Sequence, residues 1–151
     1  MKFLFVISFS LIAASQSLSF TTDLVYKDLN SAKKTDFKTL IKENSVSVLF
    51  QPNCSACKKQ IAKLNCLPKN TKLILVGSLG TEDKVKQAYL KMTAKIKNKL
   101  PGFYVQKENL EHLGFNSNLA PQTIIYSEKG SKKFLGFKSC KTIKKVLENN
   151  A

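Results

Sequence analysis

The sequence predicts an α/β domain: a central mixed sheet with helices on both faces. Three observations predict it. Short apolar runs of strand length, residues 46–50 (VSVLF), 72–76 (KLILV) and 122–126 (QTIIY), alternate with segments whose apolar residues recur at helical spacing. The first two runs are almost continuously apolar, as parallel strands covered on both faces are. The third is followed by a turn, a returning strand and a last helical stretch, so the sheet ends in an antiparallel hairpin. With 151 residues, 43% of them hydrophobic and 23% charged, the chain suits one domain and can bury a core.

The elements follow in order. Met1 and Lys2 precede a 12-residue apolar run, residues 3–14 (FLFVISFSLIAA), the length of a signal-peptide core. Small residues follow, and cleavage after Ser15, Ser17 or Ser19 would each fit; the expected division is a signal peptide over approximately residues 1–19 and a domain over 20–151. A buried N-terminal helix or an uncleaved anchor is the competing reading, but the run falls short of the roughly 20 residues that span a bilayer. A lead-in carries a strand around residues 24–26. Asp36 precedes a helical face of Phe37, Leu40 and Ile41 running to Asn44. After the strand at 46–50, Gln51-Pro52-Asn53 breaks the run, and Cys57, Ile61 and Leu64 set a helix starting near Cys54. After the strand at 72–76, Thr81-Glu82-Asp83 opens a long helix with the stripe Val85, Tyr89, Met92, Ile96. A short strand at 103–105, a helix at 108–113 stopped by Gly114, a turn at Glu128-Lys129-Gly130, a return strand at 133–137 and a helix capped by Ser139 complete the chain.

All 25 basic residues are lysine, against 10 acids, for a formal charge of +15. Without arginine there are no bidentate forks for phosphate or guanine, and the lysines are spread along the chain, so nucleic acid is not the expected partner. The charge reads as a solvated, mutually repelling surface with some attraction to acidic partners or an anionic membrane face.

The chemistry is carried by Cys54-Ser55-Ala56-Cys57, placed where a buried strand passes into a helix. Unpaired N–H groups and the dipole at a helix start stabilise a thiolate on the first cysteine. The second, within one turn, can close a small disulfide and resolve a mixed disulfide with substrate. A structural disulfide is one alternative. Half of a zinc site is another, but it needs two further ligands at matching spacing, and Cys66, Cys140 and His112 have no neighbouring partner.

VSVLFQPNCSACKKQ, a strand running through the cysteine pair into a helix, together with NLAPQTIIYSEKG further on, resembles the thioredoxin-like superfamily over nearly the whole mature chain. The resemblance implies a cis bond at Ala120–Pro121 beside the cysteines, with these two residues presenting backbone to an extended substrate. The stretch from 72 to 123, with an extra helix and short strand before the proline and Leu113-Gly114-Phe115, is similar to the exported reductases that serve cytochrome c maturation and related periplasmic thiol chemistry. This implies an extra helix insertion before the cis-proline, protein thiol or disulfide substrates, a membrane redox partner and no cofactor. The departures are specific. Asn53 stands where an aromatic usually precedes the first cysteine, Val48 where thioredoxin buries an acid, and Gln60 where some exported reductases carry a glutamate. Ser55-Ala56 has neither the proline of reducing relatives nor the histidine of strongly oxidising ones, so direction stays open.

Export would favour joining Cys66 to Cys140. On the thioredoxin-like plan, however, Cys66 lies about 14 Å beyond Cys57 and about 180° round the helix, unless the helix has ended. A bridge and a pair of free thiols both remain open. The expectation is therefore an exported, periplasmic or secreted, thiol–disulfide oxidoreductase in which Cys54 attacks, Cys57 resolves and Ala120 and Pro121 dock substrate. The alternatives are a copper(I)-binding carrier, with His112 joining two soft thiolates, and a non-catalytic thioredoxin-like binding domain.

Overall fold

The computed structural model describes residues 25–41, 44–96 and 100–149, so the expected signal segment and Leu24 lie outside the described residues. The strands are β1 (Val25–Asp28), β2 (Lys34–Asp36), β3 (Ser45–Phe50), β4 (Lys72–Gly77), β5 (Gly102–Tyr104), β6 (Gln122–Ser127) and β7 (Gly130–Leu135). They form one sheet in the order β2-β1-β5-β4-β3-β6-β7. β4 runs parallel to β3 and to β5, while β6 is antiparallel to β3 and to β7. The helices are α1 (Phe37–Leu40), α2 (Ser55–Ala62), α3 (Glu82–Thr93) and α4 (Cys140–Asn149).

β3 is buried along its whole length, which is why its sequence lacks a polar face. The period-two alternation of a strand divides its side chains between two cores. Val46, Val48 and Phe50 meet Cys57, Ile61, Val85, Tyr89, Met92, Ile143 and Leu147, so α2, α3 and α4 cover one face. Leu49, with Ile74, Val76 and Ile124 of the neighbouring strands, meets Phe37, Leu110 and Phe115 on the other. Helices thus lie on both faces, as expected, but unequally: the second face is closed by the one-turn α1 and two 3₁₀ turns.

Several elements differ from the sequence reading. The strand β2 was not foreseen; it is three residues of mostly exposed polar edge, without an apolar signal. α1 ends at Leu40 because Ile41 is already extended; Asp36 caps it, accepting the Lys38 N–H at 2.9 Å. α3 ends at Thr93, leaving Ile96 beyond the helix; the Thr93 hydroxyl bonds back to the Tyr89 carbonyl at 2.8 Å. Thr81 stands at the head of α3 without a side-chain cap bond. The helix expected at 108–113 is instead two 3₁₀ turns, Lys107–Asn109 and Glu111–Leu113, closed by Gly114 in the left-handed region. Leu110, fully buried between them, anchors the segment. The return strand is Gly130–Leu135, shifted from 133–137: Gly130 at φ 117 lets pairing begin directly after Glu128-Lys129, and Gly136 at φ 70 ends it.

Candidate redox site

β3 delivers the chain to the site. Past Phe50 the backbone turns through Pro52 and Asn53, and Asn53 takes φ 59, a left-handed conformation that asparagine tolerates. Gly80, in the loop after β4, packs so closely on Pro52 that an added Cβ would stand 2.9 Å from the ring. That contact pins the active loop to its neighbour.

Cys54 is the N-cap of α2, with extended backbone. Its sulfur accepts the Cys57 N–H at 3.0 Å, so it occupies the place a serine or aspartate oxygen takes in ordinary caps. Cys54 and Cys57 are joined, with Cα atoms 5.2 Å apart. Burial distinguishes them: Cys57 is 0% exposed within the core under α2, whereas Cys54 is half-buried. An incoming thiolate can therefore reach only the Cys54 sulfur.

The bond between Ala120 and Pro121 is cis. The Ala120 carbonyl stands 3.9 Å from the Cys54 sulfur. A disulfide sulfur carries no proton, so this is a contact in the oxidised form that a reduced thiol would convert into a weak hydrogen bond. Pro121 is buried and Ala120 half-buried. The Pro121 carbonyl accepts the Gly136 N–H at 2.9 Å, tying this loop to the end of β7. Gln122 braces it from inside, its amide bonding Asn116 and Leu119.

Two of the three departures from the expected pattern, Val48 and Gln60, are buried, whereas Asn53 is exposed. Val48 is fully buried in the core that also holds Cys57. Gln60, one helical turn beyond Cys57, is also fully buried. Its Oε1 accepts the Lys138 N–H at 2.6 Å, and its Nε2 has no partner. Neither residue titrates.

Cys66 and Cys140 are joined as well, with Cα atoms 6.3 Å apart. The geometric objection to the bridge fails for a local reason. α2 stops at Ala62, and Cys66 lies in a 3₁₀ turn, Leu64–Cys66, that swings it off the helix line. His112 sits exposed on a 3₁₀ turn, and among the described residues no three His, Cys, Asp or Glu side chains gather into a metal-holding group.

Sequence reading missed the wall beside Cys54. A cavity of about 380 Å³ lies between α2 and α3, lined by Pro52, Cys54, Lys58, Lys84, Lys91 and Met92 among others. The spacing of Lys84, Ala88 and Lys91 along α3 put them on one helical face, a signal that was present in the sequence.

No family model and no curated protein matches the sequence. Solved structures do match. A secreted disulfide oxidoreductase of Mycobacterium tuberculosis, homologous to E. coli DsbE, superposes with a TM-score of 0.65 at 12% identity, over 84% of this chain and 96% of that one. The exposed lipoprotein thioredoxin of Streptococcus pneumoniae gives 0.64 at 17% identity, over 84% and 98%. StoA of Bacillus subtilis gives 0.54 at 18%, over 80% and 92%. At these identities the likeness is one of fold: the protein has the thioredoxin-like fold, with the cysteine pair at the head of α2 and a cis-proline loop against it.

Proposed function

We propose that this chain is an exported thiol–disulfide oxidoreductase that reduces or exchanges disulfides in extracytoplasmic proteins. The observation that carries the reading is the joined Cys54–Cys57 pair, with one sulfur open beside the Ala120 carbonyl and the other sealed in the core. The apolar run at 3–14 supports export to the periplasm or beyond. The helix α3 and strand β5, standing between β4 and Pro121, support the type of reductase that serves cytochrome c maturation, recycled by a membrane redox partner.

In the reducing direction, the Cys54 thiolate attacks one sulfur of a substrate disulfide. A Cys54–substrate disulfide forms, and the other substrate sulfur leaves as a thiolate that takes a proton from water. Cys57 then loses its proton, attacks the Cys54 sulfur and releases the second substrate thiolate. Two electrons pass from the protein dithiol to the substrate, and an external dithiol restores Cys54 and Cys57. Run in reverse, the oxidised pair accepts two electrons from a substrate dithiol. Ala120 and Pro121 hold the substrate backbone across the open sulfur.

Equilibration with glutathione or dithiothreitol, followed by alkylation and mass spectrometry, tests the reading. A potential near about −270 mV gives a reductase and one near about −120 mV an oxidant. Cys54→Ser abolishes exchange, and Cys57→Ser accumulates mixed disulfides. A Cys54→Ser protein exchanging at the parent rate, or the absence of a reversible couple, overturns it.

A further inference from the structure

The cavity beside Cys54 has a chemical character that disulfide exchange by itself does not require. One wall is the start of α2, with Cys54, Ser55 and Lys58; the other is α3, with Lys84, Ala88, Lys91 and Met92. Ala88 and Met92 give it an apolar floor, being buried in the core beneath. Among the described residues no acidic side chain lines it. Lys58, Lys84 and Lys91 have no ion-pair partner among the described residues, whose ion pairs are Lys27–Glu82 and Lys144–Glu148. The acids nearest in sequence are Glu82 and Asp83, in the first turn of α3; Glu82 is engaged by Lys27 at 2.8 Å, and neither lines the cavity. The N-terminal N–H groups of α2 add partial positive charge at the same mouth. A volume of about 380 Å³ suits a few side chains or a small molecule.

Uncompensated cations around an apolar floor, opening on the reactive sulfur, select for negative charge beside the substrate sulfur. We infer that the substrate of this site is a disulfide flanked by carboxylates, which lie against Lys58, Lys84 and Lys91 while its sulfur meets Cys54. The inference rests on Cys54 being the attacking thiol. Two sources share this chemistry: an acidic segment of a polypeptide, and a small tripeptide disulfide such as oxidised glutathione.

The test must separate these lysines from the general charge of the surface. Disulfide-linked reporter peptides, identical except for Glu, Gln or Lys on either side of the cysteine, are offered to the reduced protein, with oxidised glutathione as a fourth substrate. The variant Lys58→Gln/Lys84→Gln/Lys91→Gln is compared with Lys69→Gln/Lys129→Gln/Lys132→Gln, which removes equal charge at the far end of the sheet. There, Ile125 pairs with Lys132 and with Val46, the strand end away from Cys54. The expected result is a Glu-to-Gln rate ratio of about tenfold for the parent at low salt. That ratio falls toward one in the cavity variant and persists in the far variant. If instead glutathione alone loses rate in the cavity variant, the carboxylates belong to the small thiol, and the class of substrate stands. Equal loss of the ratio in both variants, or none in the parent, overturns the inference and leaves the redox reading intact. Failure of every substrate, the neutral peptide included, removes both.

Discussion

Replacing Cys66 and Cys140 together by serine should cost far more stability than opening the redox pair. The two cysteines are 74 positions apart, so their bridge closes most of the described domain into one loop. In the chain-entropy model a loop of that length stabilises by about 4.5 kcal/mol, because the unfolded chain loses that much freedom. The redox bridge spans only 3 positions, and the same expression gives it about 2 kcal/mol. Little native packing confounds the comparison. Cys66 is exposed and Cys140 half-buried, so serine leaves no large cavity. Cys54→Ser opens the short loop while Cys57 stays in its packed place. Mass spectrometry of a non-reduced digest first establishes the linked Cys66–Cys140 peptide in the parent. Urea unfolding is then followed by far-UV circular dichroism, the chain having no tryptophan. With slopes of about 1–3 kcal/mol/M, the double variant should lose about 1.5–4.5 M in midpoint, and Cys54→Ser about half that. Equal losses, or a double variant as stable as the parent, would refute the argument from loop length.

Other expectations follow from single contacts. Gly77→Ala should cost about 1–3 kcal/mol, since a methyl there collides with Val85 and the Phe50 ring; calorimetry should show a lower Tm with the fold retained. Gln60→Glu should make stability fall as pH rises from about 4, because burial holds the new carboxyl protonated in the folded state while the unfolded one ionises freely. Thermal melts at several pH values check it, and a rise with pH would contradict it. Burial pushes Tyr126 up to about 12 against a slight opposing pull from the Ser47 hydroxyl, and pushes Tyr26 higher still, with Asp36 and Tyr126 adding to the rise. Both are raised above their unfolded value near about 10, so their stabilisation is intact below that pH and is lost as pH climbs through the folded values. Ultraviolet titration should find two tyrosines ionising only together with unfolding.

What was legible in the sequence was what is local. The runs at 46–50 and 72–76 announce buried parallel strands because each residue's neighbours along the chain already exclude a polar face. Cys54 announces a helix start because Pro52 and Asn53 break the strand just before it. What stayed hidden depends on partners far along the chain. β2 is a polar edge held extended by its antiparallel pairing with β1. The Cys66–Cys140 bridge could not be settled because it turns on where α2 ends, and nothing in Ala62-Lys63-Leu64 marks a break. The lysine-lined cavity is not legible in the sequence because its two walls come from different helices, and in a chain with 25 lysines no single one stands out.

The two sulfurs also set the terms of the proton problem at this site. Cys57 is sealed from water, yet on the proposed mechanism it must shed a proton before it can attack Cys54. A buried acid would take that proton, but Val48 stands where thioredoxin is expected to bury one and Gln60 where some exported reductases carry a glutamate. The Lys138 N–H fixes the oxygen end of Gln60, which leaves the amide nitrogen as an unpartnered donor one helical turn beyond Cys57. An amide donor cannot receive the proton of a thiol. On the proposed mechanism the base must then come from the open side, where Cys54 borders the cavity between α2 and α3. On that mechanism the access of water and of substrate groups to this cavity governs the resolving step, so Lys58, Lys84 and Lys91 would bear on its rate as well as on the proposed selection.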